Sequence, residues 1–453
     1  MKIRFVLFIC TLAVACLTAC SETVFIDGGT VVPTEAPSQQ ETQPAASPTQ
    51  PETQEHDPNT PTDTPAPTAE TAETPAAKDN SEAIRIAELH GLSEKDLRGE
   101  YELFTMFSEM IEGNNRLNGY KEIVYRIFPV VADNVSLLDI DYFLYKLGYL
   151  TIQDVDLGNG NGGEFWAGDN LIYINTDFYE GDRYQYPAVV FHELMHFVDS
   201  NLSERTDTEY VPGVPVFYET DFLTEAGAEL YTAKYFAKAV RAYFVPVQFL
   251  SGIDYIYGTE TLNRIFFGTD SDAQIGKLFV EAGFSNERYR DAVMSLNWLT
   301  YPERHGEPDN FMHPEDILID LYESKNGDKW KTDDYFLYIL KTLGNIGISD
   351  HTGSKYESFL NKNDFSSWAQ YEAFVAKLYA GLPELPDIRY APPAPVILDG
   401  KPTLGAFAEW TDPDTHKKVC GTISAEYDFC GKAKVLLDFL NLSEYNTTRT
   451  FFE

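Results

Sequence analysis

From Ser81 to about Leu150, apolar residues recur at intervals of three and four. This predicts helices over 82–90, 93–112 and 118–133, with breaks at Gly113 and Asn114-Asn115. The pattern then changes. Gly158-Asn159-Gly160-Asn161-Gly162-Gly163 reads as a flexible loop. Glu164-Phe165-Trp166-Ala167 and Leu171-Ile172-Tyr173-Ile174 read as two short strands, joined by the turn residues Gly168-Asp169-Asn170. After Pro187 a helical pattern returns and continues to about Leu382, where Pro383, Pro386, Pro392, Pro393 and Pro395 interrupt the chain. The remaining 396–453 reads as a small mixed appendage with short strands, and no internal repeat is visible. The pattern as a whole predicts a mainly helical α+β body.

The N-terminus changes the picture, because it sets the compartment. Lys2 and Arg4 precede an apolar run from Phe5 to Leu17, which is too short for a stable membrane span and has the layout of an export signal. It ends in Leu17-Thr18-Ala19-Cys20, which resembles the lipobox of bacterial lipoproteins. That resemblance implies cleavage before Cys20, acylation of Cys20, and a chain anchored to a membrane outside the cytoplasm. An ordinary secretory signal cut nearby is the plainer alternative. Residues 20–80 are rich in Pro, Thr and Glu and poor in large apolar side chains, so they cannot offset their chain entropy by burial and predict a disordered tether. The expected organisation is a signal peptide over 1–19, the tether over 20–80, an N-terminal helical region over 81–150, a catalytic domain over 151–390 and a small mixed region over 391–453.

Charge and cysteine content exclude some partners. The formal net charge is −37. A body this acidic repels nucleic acid and anionic surfaces; it suits basic peptides, or serves solubility alone. Cys10 and Cys16 leave with the signal, so Cys420 and Cys430 are the thiols of the body. Flanking a nine-residue loop, they form a local disulfide or stay as two free thiols, since His416 is the one further metal ligand nearby.

The chemistry centres on Pro187-Ala188-Val189-Val190-Phe191-His192-Glu193-Leu194-Met195-His196-Phe197-Val198-Asp199. In a helix His192 and His196 share a face and can both reach one zinc ion, at about 2.0–2.1 Å. Glu193 is one position round, where its carboxylate can serve a water without displacing it. The flanking residues are apolar on most sides, so the helix is expected to be buried, and two His and a Glu there are costly unless paired or bound to metal. Two satisfied core histidines are the bland alternative. A third ligand is needed. A third His at short spacing would fall at 202, which is Leu202, and Asp199 stands where that pattern has Gly. The better candidate is Glu225 in Asp221-Phe222-Leu223-Thr224-Glu225-Ala226-Gly227-Ala228-Glu229, a helix with Asp221 as its expected N-cap. Glu229, Glu219 and Asp270 are rival ligands. The small residues Ala226, Gly227 and Ala228 are expected to let this helix approach the His helix closely.

His-Glu-Leu-Met-His followed by Thr-Glu-Ala-Gly-Ala-Glu resembles the gluzincin class of zinc metallopeptidases, over about residues 185–232. The resemblance implies a zincin-like body, zinc held by His192, His196 and Glu225, Glu193 as general base, and Glu229 supporting a ligand His. It also implies a strand that pairs with the substrate backbone, a part that Leu171–Asn175 suits. Asp199 either orients a ligand or ends its helix. The donor that would stabilise the oxyanion is open among His305, His313, Tyr210, Tyr218 and Tyr231. A calcium loop at Asp154–Asn161 lacks two of the expected donors, and a flexible approach to the hairpin is the better reading. The expected function is hydrolysis of a peptide or protein substrate. The alternatives are a non-catalytic surface binding protein on the same scaffold and a zinc-dependent hydrolase of cell-wall peptides.

Overall fold

A computed structural model describes residues 80–343, except 118, 159–160, 176–186, 201–219, 238–241, 269–270, 334, 338 and 341–342. It further describes Ser354, Lys355, His416 and the strands between 389 and 450. The expected signal peptide, Cys20 and the tether lie outside the described residues, as do Tyr210, Tyr218, Glu219, Asp270 and Cys430.

The first region forms α1 (Ser81–Leu89), α2 (Tyr101–Gly113), α3 (Lys121–Tyr125), α4 (Phe128–Asp133) and α5 (Ile140–Tyr149). Two of the expected helices are split. Over 93–112, Ser93 and Asp96 form a capping box on a short 3₁₀ turn, Glu94–Leu97. Arg98 and Gly99 then take φ values of 52° and 87°, which stops that turn before α2 begins. Over 118–133, Pro129 has no N–H to give to the carbonyl four residues back, so α3 ends and α4 starts anew with the proline in its first turn. Phe104, Phe107, Tyr125, Phe128 and Phe143 meet in the core of this region.

Three strands follow: β1 (Thr151–Val155), β2 (Gly163–Trp166) and β3 (Leu171–Asn175). β2 and β3 form the expected hairpin, with Trp166 opposite Leu171 and Asn170 in the turn at φ 54°. β1 was not foreseen. It pairs parallel to β3, so the order is β1-β3-β2. This corrects the expectation for Leu171–Asn175: both its sides are occupied, so it cannot add a substrate strand, and the sheet's edges among the described residues are β1 and β2.

The helical body comprises α6 (Pro187–Asp199), α7 (Asp221–Thr232), α8 (Phe244–Tyr257), α9 (Thr259–Phe267), α10 (Ser271–Glu281), α11 (Asn286–Thr300) and α12 (Pro314–Asn326). Every residue of α6 is buried, as its apolar flanks predict. It lies between α7 on one side and the sheet on the other. Its C-terminal end is held by Lys146 of α5, whose Nζ donates to Ser200 O at 3.0 Å and Ser200 Oγ at 2.8 Å. A cation there complements the helix dipole. Burial among the Phe165 and Phe197 rings pushes the Lys146 amine down to about 8, against the pull of Asp199. No described helix is long and apolar enough to cross a membrane.

The C-terminal region differs from the mixed appendage expected. Its described residues after 388 are nearly all strand: β4 (Arg389–Tyr390), β5 (Ala394–Leu398), β6 (Lys401–Thr411), β7 (Lys418–Glu426), β8 (Val435–Phe439) and β9 (Arg449–Thr450). They form an antiparallel sheet ordered β4-β6-β7-β8-β9, with β5 also on β6. β6 has 11 residues, so the strands are not uniformly short. Cys420 lies in β7.

Gly227 has a different reason for its place from the one expected. A Cβ there would stand 2.2 Å and 2.3 Å from ring carbons of Phe266, on α9 rather than on the His helix α6. The Phe266 ring is buried and stacked on Tyr231, so it has nowhere to go. Alanine in a helix normally gains about 1 kcal/mol over glycine, but overpacking here costs more, about 1–3 kcal/mol. Gly227→Ala should therefore lower the urea midpoint. Gly113→Ala, where a Cβ meets nothing within 4 Å, should leave the midpoint unchanged or raise it.

Candidate metal centre

The site is built on α6 and α7. On α6, His192, Glu193 and His196 are all nearly inaccessible to solvent. On α7, Thr220 rather than Asp221 is the N-cap residue, and Asp221 occupies the first turn. Asn297 of α11 accepts from the Phe222 N–H at 3.1 Å, satisfying one of the amides a helix start leaves open. Glu225 and Glu229 then follow on one face of α7, both buried.

His192, His196 and Glu225 come together. One ligand atom from each lies within 4.8 Å of the others, a group that could hold a metal ion. The Nε2 atoms of His192 and His196 are 3.2 Å apart. Glu225 Oε2 is 3.4 Å from the first and 3.7 Å from the second. A point equidistant from all three is about 2.0 Å from each, which is the bond length zinc takes to imidazole nitrogen and carboxylate oxygen. The donor chemistry agrees. Glu229 Oε2 lies 3.1 Å from His192 Nδ1, so the carboxylate accepts the Nδ1 proton and leaves the Nε2 lone pair aimed at the shared point. The other Glu229 oxygen accepts from the Ala242 N–H at 3.4 Å. Glu229 thus occupies the far side of His192, away from the triangle that Glu225 completes.

The charges favour a cation at that point. Burial alone would raise the Glu225 carboxyl pKa, but the adjacent His196 and His192 hold it well below the usual carboxylate range. Burial opposes charge on His192, yet the Glu225 and Glu229 carboxylates pull its pKa above the ordinary value. Both directions reflect one attraction, between the Glu225 carboxylate and the imidazoles beside it in a dry space. Asp199 is buried at the end of α6, near enough to Lys146 to favour that lysine's charge.

Two walls of the site were not read from sequence. The first is β2. Gly163 faces the Glu193 carboxylate: a Cβ on Gly163 would fall 2.9 Å from Glu193 Cγ and 3.0 Å from Oε1. The glycine run was taken for flexibility, and nothing local in it signals a contact with a residue 30 positions on. The second wall is Tyr243, at φ 53°, whose ring centroid lies 6.2 Å from that of His192 and whose hydroxyl meets that of Tyr301 at 3.1 Å. Among the oxyanion candidates, Tyr231 donates to Asn263 and stacks on Phe266, which turns it toward α9. His305 Nε2 and Arg304 Nη1 each lie 2.8 Å from Asp221 Oδ2, one helical turn before Glu225. His313 precedes α12 and packs edge-on to Phe311. The suspected calcium donors are engaged elsewhere: Asp154 accepts from Tyr120 and Asp156 from the Gly158 N–H.

This geometry separates the two glutamates of α7. If a metal sits at the triangle, Glu225→Ala should abolish its retention through gel filtration, measured by atomic emission on protein loaded with zinc. Glu229→Ala should weaken affinity about 10- to 100-fold while keeping the site. Equal retention by both variants would show that the triangle is not where metal binds. No protein-family description matches the chain, and no curated protein and no solved structure was found to be similar to it.

Proposed function

We propose that the chain is a zinc metallopeptidase of the gluzincin kind on a zincin-like body, with His192, His196 and Glu225 as metal ligands and Glu193 as general base. The observation that carries this reading is the buried triangle of two imidazole nitrogens and one carboxylate oxygen, about 2.0 Å from a common centre. The two Nε2 atoms, 3.2 Å apart, can share a hydrogen bond without metal, and the same nitrogens with the Glu225 oxygen form a ligand set for zinc.

Zinc, when bound, supplies Lewis acidity toward a carbonyl and toward water. The chain's own groups do the rest. Glu229 keeps the proton on His192 Nδ1 and so fixes the ring's tautomer and orientation. Glu193 accepts the proton of the attacking water and afterwards delivers it to the leaving amine. Among the described residues β2 is an edge of the sheet, and its backbone would be the strand beside Glu193 for an extended peptide to pair with. The substrate is a peptide or protein, and the acidic body gives no purchase to nucleic acid. The same reading anchors the chain through Cys20 to a bacterial membrane, outside the cytoplasm.

Glu193→Gln removes the base and keeps nearly the same shape. It should retain zinc at the wild-type level and lose about 10²- to 10⁴-fold in kcat on a quenched-fluorescence peptide library. Undiminished cleavage by that variant, or wild-type protein that binds no zinc when metal is supplied, would sink the peptidase reading.

A further inference from the structure

We infer that Gly163 is the positioning residue for Glu193: the missing side chain at the start of β2 is the space in which the Glu193 carboxylate is held. The inference rests on the peptidase reading for its consequence in catalysis, but the contact itself does not need a metal. A Cβ at 163 would lie 2.9 Å from Glu193 Cγ, 3.0 Å from Oε1 and 3.2 Å from Cδ. The first is closer than a real Cβ comes without displacement, the other two are tight, and all three belong to the same side chain.

The question is which partner would yield. β2 cannot retreat. Gly163 is paired with Ile174 in the ladder, and the carbonyl just before it, that of Gly162, accepts from the Asn175 N–H at 3.0 Å. Asn175 also donates its side-chain amide to the carbonyl of Asn161, and Asn161 donates to Glu164 Oε1 at 3.1 Å. Asn161, Glu164 and Asn175 are all buried, so this polar clamp is not easily exchanged for water. α6 cannot retreat either, since every residue along it is buried. The movable part is the Glu193 side chain beyond Cβ. A methyl at 163 therefore turns the carboxylate, while the backbones and the triangle of His192, His196 and Glu225 stay in place. Glycine at 163 is a requirement of the acid it faces. The loop's bending does not require it, because a positive φ is not found at this residue.

Relief of these contacts turns or shifts the Glu193 side chain by at least a few tenths of an ångström, and a catalytic group misplaced by about 1 Å can cost on the order of 100-fold in rate. Gly163→Ala should keep wild-type zinc content and KM and lose about 10- to 100-fold in kcat. A rise in KM at unchanged kcat would mean that the methyl meets substrate instead of Glu193, and would overturn the inference, as would activity within twofold of wild type. A second arm reads the contact without metal or activity. In the metal-free full chain, urea midpoints are measured for Gly163→Ala, Glu193→Ala and the double variant. Truncating Glu193 makes room, so adding the methyl should shift the midpoint downward less in the Glu193→Ala background than in wild type. Equal shifts in the two backgrounds would overturn the inference. Should Gly163→Ala alone fail to fold, the double variant must recover folding, and its failure would overturn it too. Wild-type protein that neither binds zinc nor cleaves peptides would sink the peptidase reading, while the midpoint comparison still decides whether Gly163 holds Glu193.

Discussion

Burial of several ionisable groups between α6 and α7 is the constraint to which the neighbouring structure answers. Two imidazoles and the carboxylates of Glu193, Glu225 and Glu229 lie out of reach of bulk water. Removing one charged group from water costs several kcal/mol when nothing compensates it. Compensation within the protein is partial: Glu229 takes the Nδ1 proton of His192, and Glu225 lies 3.4 and 3.7 Å from the two Nε2 atoms, too far for good hydrogen bonds. Two imidazole nitrogens and one carboxylate oxygen thus surround one equidistant point. A divalent cation at that point would engage all three donors, and the depressed Glu225 pKa and elevated His192 pKa both reflect the attraction between that carboxylate and the imidazoles.

Such a site needs rigid walls, because its groups must stay where they are costly. The surrounding helices supply them by apolar packing. Phe266 fills the space that Gly227 leaves on the outer side of α7, so α7 is held from behind as well as by α6. Lys146 holds the end of α6 through Ser200, and Asn297 holds the start of α7. On the sheet side, the clamp of Asn161, Glu164 and Asn175 fixes the start of β2 against Glu193. None of these props carries the proposed chemistry. They convert a pair of helices with the right residues into one geometry.

Much of this was legible in the sequence, and the losses have specific causes. The core helices α6 and α7, the β2–β3 hairpin and the shared faces of His192 with His196 and of Glu225 with Glu229 all depend on spacings of four residues or fewer, or on a turn of known chemistry. The helix splits at Arg98-Gly99 and at Pro129 had local signals that the apolar periodicity outweighed. β1 was missed because its pairing partner lies 20 residues on, beyond a loop. The strand assigned to the sheet edge proved interior for the same reason: an edge is defined by what fails to pair with it. The C-terminal sheet is more extensive than its local pattern suggests because the 11-residue β6 is set by its pairing with β7, up to 23 residues on.

The sequence by itself determined which residues share a helical face, because that depends only on 3.6 residues per turn. It therefore determined the histidine pair on α6, the glutamate pair on α7, the burial of α6 and the acidic balance of the chain. Tertiary structure alone decided which α7 glutamate meets the imidazoles at Nε2 and which at Nδ1, since both glutamates lie on one face and differ by a single turn. It alone decided that Gly227 answers Phe266 and that Gly163 answers Glu193. These are contacts between segments 30 or more residues apart, and no local pattern encodes the close approach of two distant atoms.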